Sequence, residues 1–247
     1  MTTPVMRGRL VCIAAACVAL IILTSACASN TAGSGSSPTT SASNGITTEP
    51  TAKIVKTAFT TLASAGSVRL YGSFRASGAR YRLDVTMGAA GMRGTMTAPF
   101  RGAKRATVDM VLTRGKFYAR SRTLWQQVGG AGLASLIGDR WVILPVGRLS
   151  GFPFANVKTF IKLLSKRSLK SLKNAGAHVA RVTTTVDGQP AIEISEHGTA
   201  VYIATTGHPY LLEIRQGSHN VLHFQYSGLP LRIAAPPHAI DLRSLHR

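Results

Sequence analysis

After Gly66 the chain settles into a period of two. Val68, Leu70, Gly72 and Phe74 alternate with Arg69, Tyr71, Ser73 and Arg75, and beyond a Ser77-Gly78 turn Tyr81, Leu83, Val85 and Met87 alternate with Arg82, Asp84 and Thr86. Successive side chains of a strand point to opposite faces, so this pattern describes a sheet that buries one face and wets the other. The alternation returns at Met92 to Thr97, at Ala106 to Thr113 and, after Arg114-Gly115, at Lys116 to Ala119. Gaps this short admit only hairpins, which makes the neighbours antiparallel. A second set follows at His178 to Val186, Ala191 to Ser195, Thr199 to Ala204, Tyr210 to Arg215 and Asn220 to Tyr226, with Asp187-Gly188 as a hairpin turn. Helical spacing occurs twice. Ile54, Val55, Ala58, Phe59 and Leu62 mark one face between Ala52 and Ala65, and Val157, Phe160, Ile161 and Leu164 mark another between the cap Asn156 and about Lys173. Between the two sets, the Gly-rich stretch from Gly129 to Gly138 is irregular, its Gly130-x-Gly132 segment reads as a flexible loop or lid and not as a dinucleotide-binding turn, and Arg140 to Leu144 reads as a strand. The fold class that follows is α+β, with an antiparallel sheet of about ten strands.

The residues before this domain belong to a different category. Met1 to Arg9 carries Arg7 and Arg9 and no acid, Leu10 to Leu23 is uncharged and apolar, and Thr24-Ser25-Ala26-Cys27 follows. The apolar run reaches only about 21 Å as a helix, short of a hydrocarbon core of roughly 30 Å, which favours a signal peptide over a membrane-spanning helix. Leu23-Thr24-Ser25-Ala26-Cys27 resembles a bacterial lipobox, although Thr24 stands where Leu is most common. The resemblance implies cleavage before Cys27, a diacylglyceryl group on its sulfur and palmitate-type acyl chains in the membrane. The alternatives are an uncleaved anchor running to Ala28 and plain secretion. All three place the rest of the chain outside the cytoplasmic membrane.

Residues 28–50 are rich in Ser, Thr and Gly, with Ile46 the one sizeable apolar side chain. That composition predicts a flexible tether. The expected organisation is therefore a lipoprotein signal peptide over 1–26, a lipidated Cys27 with its tether over 27–50, and one α+β domain over 51–247. The three cysteines, Cys12, Cys17 and Cys27, all precede that domain, so it contains neither a disulfide nor a Cys-ligated zinc site.

The order of elements, the tether behind a lipobox-like cysteine, Val186-Asp187-Gly188, the strand Val201 to Ala204, the turn Thr205 to Pro209 and the closing Ala235-Pro236-Pro237 together resemble the actinobacterial LppX/LprG type of lipoprotein, which shares the LolA-like carrier fold. The resemblance spans residues 52–237. It implies a curved antiparallel sheet, a half-open barrel, with helices packed on its concave face around an apolar cavity for acyl chains. It carries over no cargo-contacting residue and explains neither the Gly-rich stretch nor the charge.

Enzyme motifs are missing: the chain has no G-x-S-x-G, H-E-x-x-H or P-loop pattern, and all seven histidines lie at or after His178. His219 and His223 share one strand face without an acidic or thiol neighbour in sequence, which reads as surface or half-buried histidine and not as a metal site. Glu193 and Glu196 fall on opposite faces, which disfavours paired-carboxylate chemistry. No catalytic residue, cofactor or metal is expected. The charge is uneven. Residues 69–173 hold 20 Lys+Arg against three acids, whereas five bases meet five acids over 174–247. Lys158, Lys162, Lys166, Lys170 and Lys173 form a stripe opposite the apolar face of the second helix. Outside the cytoplasm, the partner for such charge is an anionic lipid or envelope polymer and not nucleic acid.

The leading expectation is a non-enzymatic binder or carrier of a lipid or other acylated amphiphile, anchored to the outer face of the cell membrane, with Leu70, Phe74, Leu83, Val85, Met110 and Leu112 on its apolar face. The alternative is an envelope interaction module with a closed core, whose basic face docks on anionic lipids, wall polymers or a protein partner.

Overall fold

The computed structural model describes residues 42–76, 78–99, 105–144 and 180–242. The expected signal peptide, Cys27 and the helix expected from Asn156 to about Lys173, with its lysine stripe, lie outside the described residues.

Helix α1 covers Thr51–Ser64, and its buried side chains are Ile54, Val55, Ala58, Phe59 and Leu62, the stripe picked out by the helical spacing. Six strands follow in a meander: β1 (Ser67–Ala76), β2 (Ala79–Gly88), β3 (Gly91–Pro99), β4 (Arg105–Thr113), β5 (Lys116–Arg120) and β6 (Val142–Leu144). A second meander contains β7 (Ala180–Val186), β8 (Gln189–Glu196), β9 (Thr199–Ala204), β10 (Leu211–Gln216) and β11 (Asn220–Ser227), and β12 (Ile240–Asp241) ends the series. These twelve strands make one sheet in the order β12-β6-β5-β4-β3-β2-β1-β11-β10-β9-β8-β7. Every pairing is antiparallel except β12 with β6. The two arms join where β1 pairs with β11, Leu70 opposite Phe224 and Gly72 opposite Leu222. Gly72 has φ +142°, and a Cβ there would lie 2.1 Å from the Val221 carbonyl oxygen, so the joint requires glycine.

Alternate strand residues share one core with the helices. Leu83, Val85 and Met87 of β2, Ala106, Val108 and Met110 of β4, and Ile192 and Ile194 of β8 belong to the same cluster as the α1 stripe. A smaller cluster of Ala191, Ala200, Tyr202, Ala204 and Leu212 occupies the other face of β8 to β10.

Two expectations are corrected. The Gly-rich stretch is not a loop or lid: helix α2 runs over Arg122–Ile137, with a break at Gly130, where φ is 73°. Ser121 Oγ caps it by accepting the Leu124 N–H at 3.2 Å, and Leu124, Trp125, Ala134 and Ile137 face the core. The cap and the apolar spacing outweigh the helix-weakening glycines. The tether, in turn, ends earlier than its composition predicts. Ser43 bridges Thr206, the Asn44 N–H donates to the Thr205 carbonyl at 2.9 Å, and a 3-10 turn over Ile46–Thr48 buries Ile46. Arg181 Nη2 donates to the Thr47 and Glu49 carbonyls at 2.6 and 3.0 Å. Residues 42–50 are thus part of the fold, because backbone pairing supplies what their side chains lack.

Candidate functional site

The apolar face predicted from the sequence is continuous across the first arm. Leu70, Leu83, Val85 and Met110 are at most 1% exposed, Leu112 is 9% exposed, and half-buried Phe74 stacks on Tyr81 at 5.2 Å. In register, Leu70 stands opposite both Val85 and Phe224, Val85 opposite Gly94, and Gly94 opposite Met110. Met87, Met92, Met96 and Met110 are all buried on this face of β2 to β4, with Met87 directly opposite Met92. No methionine lies elsewhere beyond residue 6. Unbranched thioether side chains repack at small cost, which makes such a face adaptable.

The opposite face of the same strands is wet and basic. Arg69 donates to both Asp84 oxygens, at 2.8 and 2.7 Å, and this hydrogen-bonded pairing holds the Asp84 carboxyl below the usual carboxylate range. Arg120 engages Asp109 at 2.7 Å and lies over the Trp141 ring. Arg75, Arg80, Arg82, Arg93 and Arg105 are exposed and make no ion pair among the described residues.

In the second arm, polar side chains form a row across the sheet: Tyr71 opposite His223, His223 opposite Glu213, Glu213 opposite Tyr202 and Tyr202 opposite Glu193. Glu213 is buried, with Arg215 Nη2 2.7 Å from one of its oxygens and His223 Nδ1 3.3 Å from the other. Neither Glu213 Oε1 nor His223 Nδ1 makes a directed hydrogen bond, and the Arg215 guanidinium supplies the charge beside the carboxylate. His223 stacks on Tyr71 at 4.9 Å, and the Tyr71 hydroxyl reaches Asp187 at 3.4 Å. Burial, and then Asp187, push the Tyr71 hydroxyl above its ordinary value. Sequence spacing hides the Glu213 partner of His223, because cross-strand register brings together residues ten apart. His219 is exposed in the turn between β10 and β11. Glu193 and Glu196 alternate along β8 as expected, yet both reach an open depression of about 520 Å³ at the β8–β9 turn, with His197, Thr199, Tyr202 and Arg215.

Among the described residues, no three His, Cys, Asp or Glu side chains gather as a metal site, and no helix is long and apolar enough to cross a membrane. No family model matches the chain and no curated protein matches it, so the reading of these surfaces rests on their geometry.

Proposed function

We propose that the protein is a non-enzymatic carrier or binder of a lipid or other acylated amphiphile, of the LppX/LprG type, anchored through Cys27 to the outer face of the cell membrane. The observation that carries the reading is the broad apolar sheet face with its four methionines, a surface that can reshape around acyl chains. In this reading the sheet curves as a half-open barrel and helices cover its concave face.

The test is native mass spectrometry with lipid extraction on the mature protein purified from its own host. A stoichiometric lipid released on denaturation supports the carrier. A bare chain that also fails to take up an apolar fluorescent probe refutes it. In parallel, Cys27→Ala should release the protein from the membrane fraction or leave a precursor of higher mass, and unchanged fractionation and migration would remove the anchor.

One observation favours a second reading. Leu70, Leu83, Val85 and Met110 are at most 1% exposed, which suits an interaction module with a filled core and a basic docking face. A lipid-free protein that still binds anionic surfaces would support that module.

A further inference from the structure

The sheet ends differently at its two edges. β12 is two residues long, whereas β7 has seven and pairs with β8 without a register shift. Exposed edges are ordinarily blunted by brevity, a bulge, proline or lysine, because their free N–H and C=O groups invite another strand. β7 carries none of these devices, and Val182, Thr183, Thr184, Thr185 and Val186 are β-branched in an unbroken run, the composition that suits a strand best. Asp187 and Gly188, at φ 49° and 79°, form the two-residue turn that sets Val186 opposite Gln189. The pair flanking such a turn is hydrogen-bonded, so Thr184 and Val182 also bond to β8, and the backbone groups of Arg181, Thr183 and Thr185 point to the open edge. Among the described residues, no backbone hydrogen bond engages these groups. The side chains of Arg181, Thr183 and Thr185 are exposed, and Val182 is 52% exposed.

The order of side chains selects the occupant. From Val182 to Val186 the strand reads the same in both directions, and the flanking residues, Arg181 and Asp187, carry opposite charges. Laid antiparallel on a second copy about a two-fold axis at Thr184, it sets Val182 against Val186, Thr183 against Thr185, Thr184 against itself, and each Arg181 end against an Asp187 end. The hydrogen-bonding phase agrees, since Thr183 and Thr185, whose backbone groups point outward, meet each other and Thr184 takes the non-hydrogen-bonded position. Val186 packs against the small cluster of the second arm, and Val182 shares its face, so pairing the two valines continues that apolar face across the axis. Arg181 uses only Nη2 on the Thr47 and Glu49 carbonyls, and Asp187 one oxygen on the Tyr71 hydroxyl, so each retains a group for the other. A parallel pairing would oppose like charges, and an unrelated strand would gain backbone bonds without this match.

We propose that two copies of the chain join edge to edge through β7, antiparallel about Thr184, so that one sheet runs through both. The contact is a single strand pair, small for a lasting interface, and it forms and parts readily in dilute solution. It requires neither the lipid anchor nor a cargo, and stands or falls apart from both.

The experiment is disulfide trapping in the full chain, whose own cysteines all precede residue 28. Across the axis two Thr184 Cα atoms would lie about 4.5 Å apart, inside the span of a disulfide. Two Val182 residues would lie about 14 Å apart along the strands, outside it. Under mild oxidation Thr184→Cys should give at least about tenfold more covalent dimer than Val182→Cys or the parent chain, and mixing Val182→Cys chains with Val186→Cys chains should restore cross-linking. Sedimentation of the parent chain in detergent should show a dimer that grows with concentration. Thr183→Pro removes an outward N–H, and Thr184→Lys sets two like charges on the axis. Each should raise the dissociation constant at least about tenfold while the chain stays folded. If Thr183→Pro does not fold, Thr184→Lys decides. Equal cross-linking at 182 and 184, a monomer at every concentration, or a folded variant that dimerises as the parent does overturns the proposal. So does trapping of Thr184→Cys on a protein of another mass in place of its own copy, which would assign the edge to a foreign strand.

Discussion

The two arms of the sheet treat their second face differently. In β4 burial alternates residue by residue from Arg105 to Met110, and in β2 from Leu83 to Gly88, leaving Arg82, Asp84 and Thr107 toward water. In β9 every residue after Thr199 is buried, and in β10 the first four are, because the small cluster around Tyr202 and Leu212 covers the face that the first arm leaves open. Among the described strands, the charge follows this division. A face in water tolerates many unpaired arginines, whereas a covered face admits only charges that find partners, as Glu213 does with Arg215 and His223. Within the neutral second half of the sequence, β8 to β10 carry buried side chains on both faces.

Breaking the joint between the arms should have the largest effect. Gly72→Val places a branched side chain against the Val221 carbonyl and forces a positive φ on a residue that avoids it. The expected loss is about 3 kcal/mol or more in urea unfolding, enough to leave much of the chain unfolded. Gly132→Ala is the control, since a Cβ there meets nothing within 4 Å and α2 gains helix propensity. A loss under about 1 kcal/mol for Gly72→Val would mean that the arms do not depend on this joint.

A second test separates the arms by pH. Tyr226 donates to the Leu211 carbonyl at 2.9 Å and stacks on Tyr210 at 4.0 Å, and burial pushes its hydroxyl far above the ordinary tyrosine range. A raised folded value means that the stabilisation is complete below the unfolded value, near pH 10, and is lost as pH rises beyond it. Stability should fall by about 1.4 kcal/mol per pH unit above pH 10 from this group. Tyr226→Phe should lose about 1 kcal/mol at neutral pH and flatten the alkaline slope. An unchanged slope in Tyr226→Phe would assign the alkaline loss to other groups.

The first arm was legible from the sequence because one wet face writes itself as alternation: Val68 to Met87 appear in the structure on the faces their spacing assigns. The α1 stripe was legible for the same reason. The second arm was legible as strands, but its second cluster was not, since the run from Ala200 to Ala204 shows no alternation to interpret. Helix α2 was hidden by Gly129, Gly130 and Gly132, although Ser121 and Gly138 bracket it as cap and stop. Ile46 was visible as the lone apolar residue of the tether, yet its burial depends on pairing with Thr205 and Thr206, far along the chain. The short β12 also pairs with a distant segment, β6, and leaves no local pattern. The basic charge was plain from composition. Its concentration beside the β1–β2 turn required the register that sets Arg75 against Arg80.

The smallest effects test whether one kind of contact, arginine on a carboxylate, differs in worth between the arms. Glu213 is buried beside Arg215, so Glu213→Gln strands part of the guanidinium charge in a covered place. Arg215 is half-exposed, which screens it, and the expected loss is about 1 to 2 kcal/mol and not the larger value of a fully buried pair. Asp84→Asn removes the same chemistry from the wet face, where Arg69 can turn to water, and the unfolding midpoint should barely move. The carboxyl of Asp84 lies below its ordinary value, so its small contribution is present above the unfolded value, near pH 4, and disappears only as pH falls below it. Denaturant titrations of both variants at neutral pH, repeated at mildly acidic pH, decide the matter. Equal losses would show that covering the second arm does not raise the worth of its ion pairs, and would leave the uneven charge of the two halves without a structural reason.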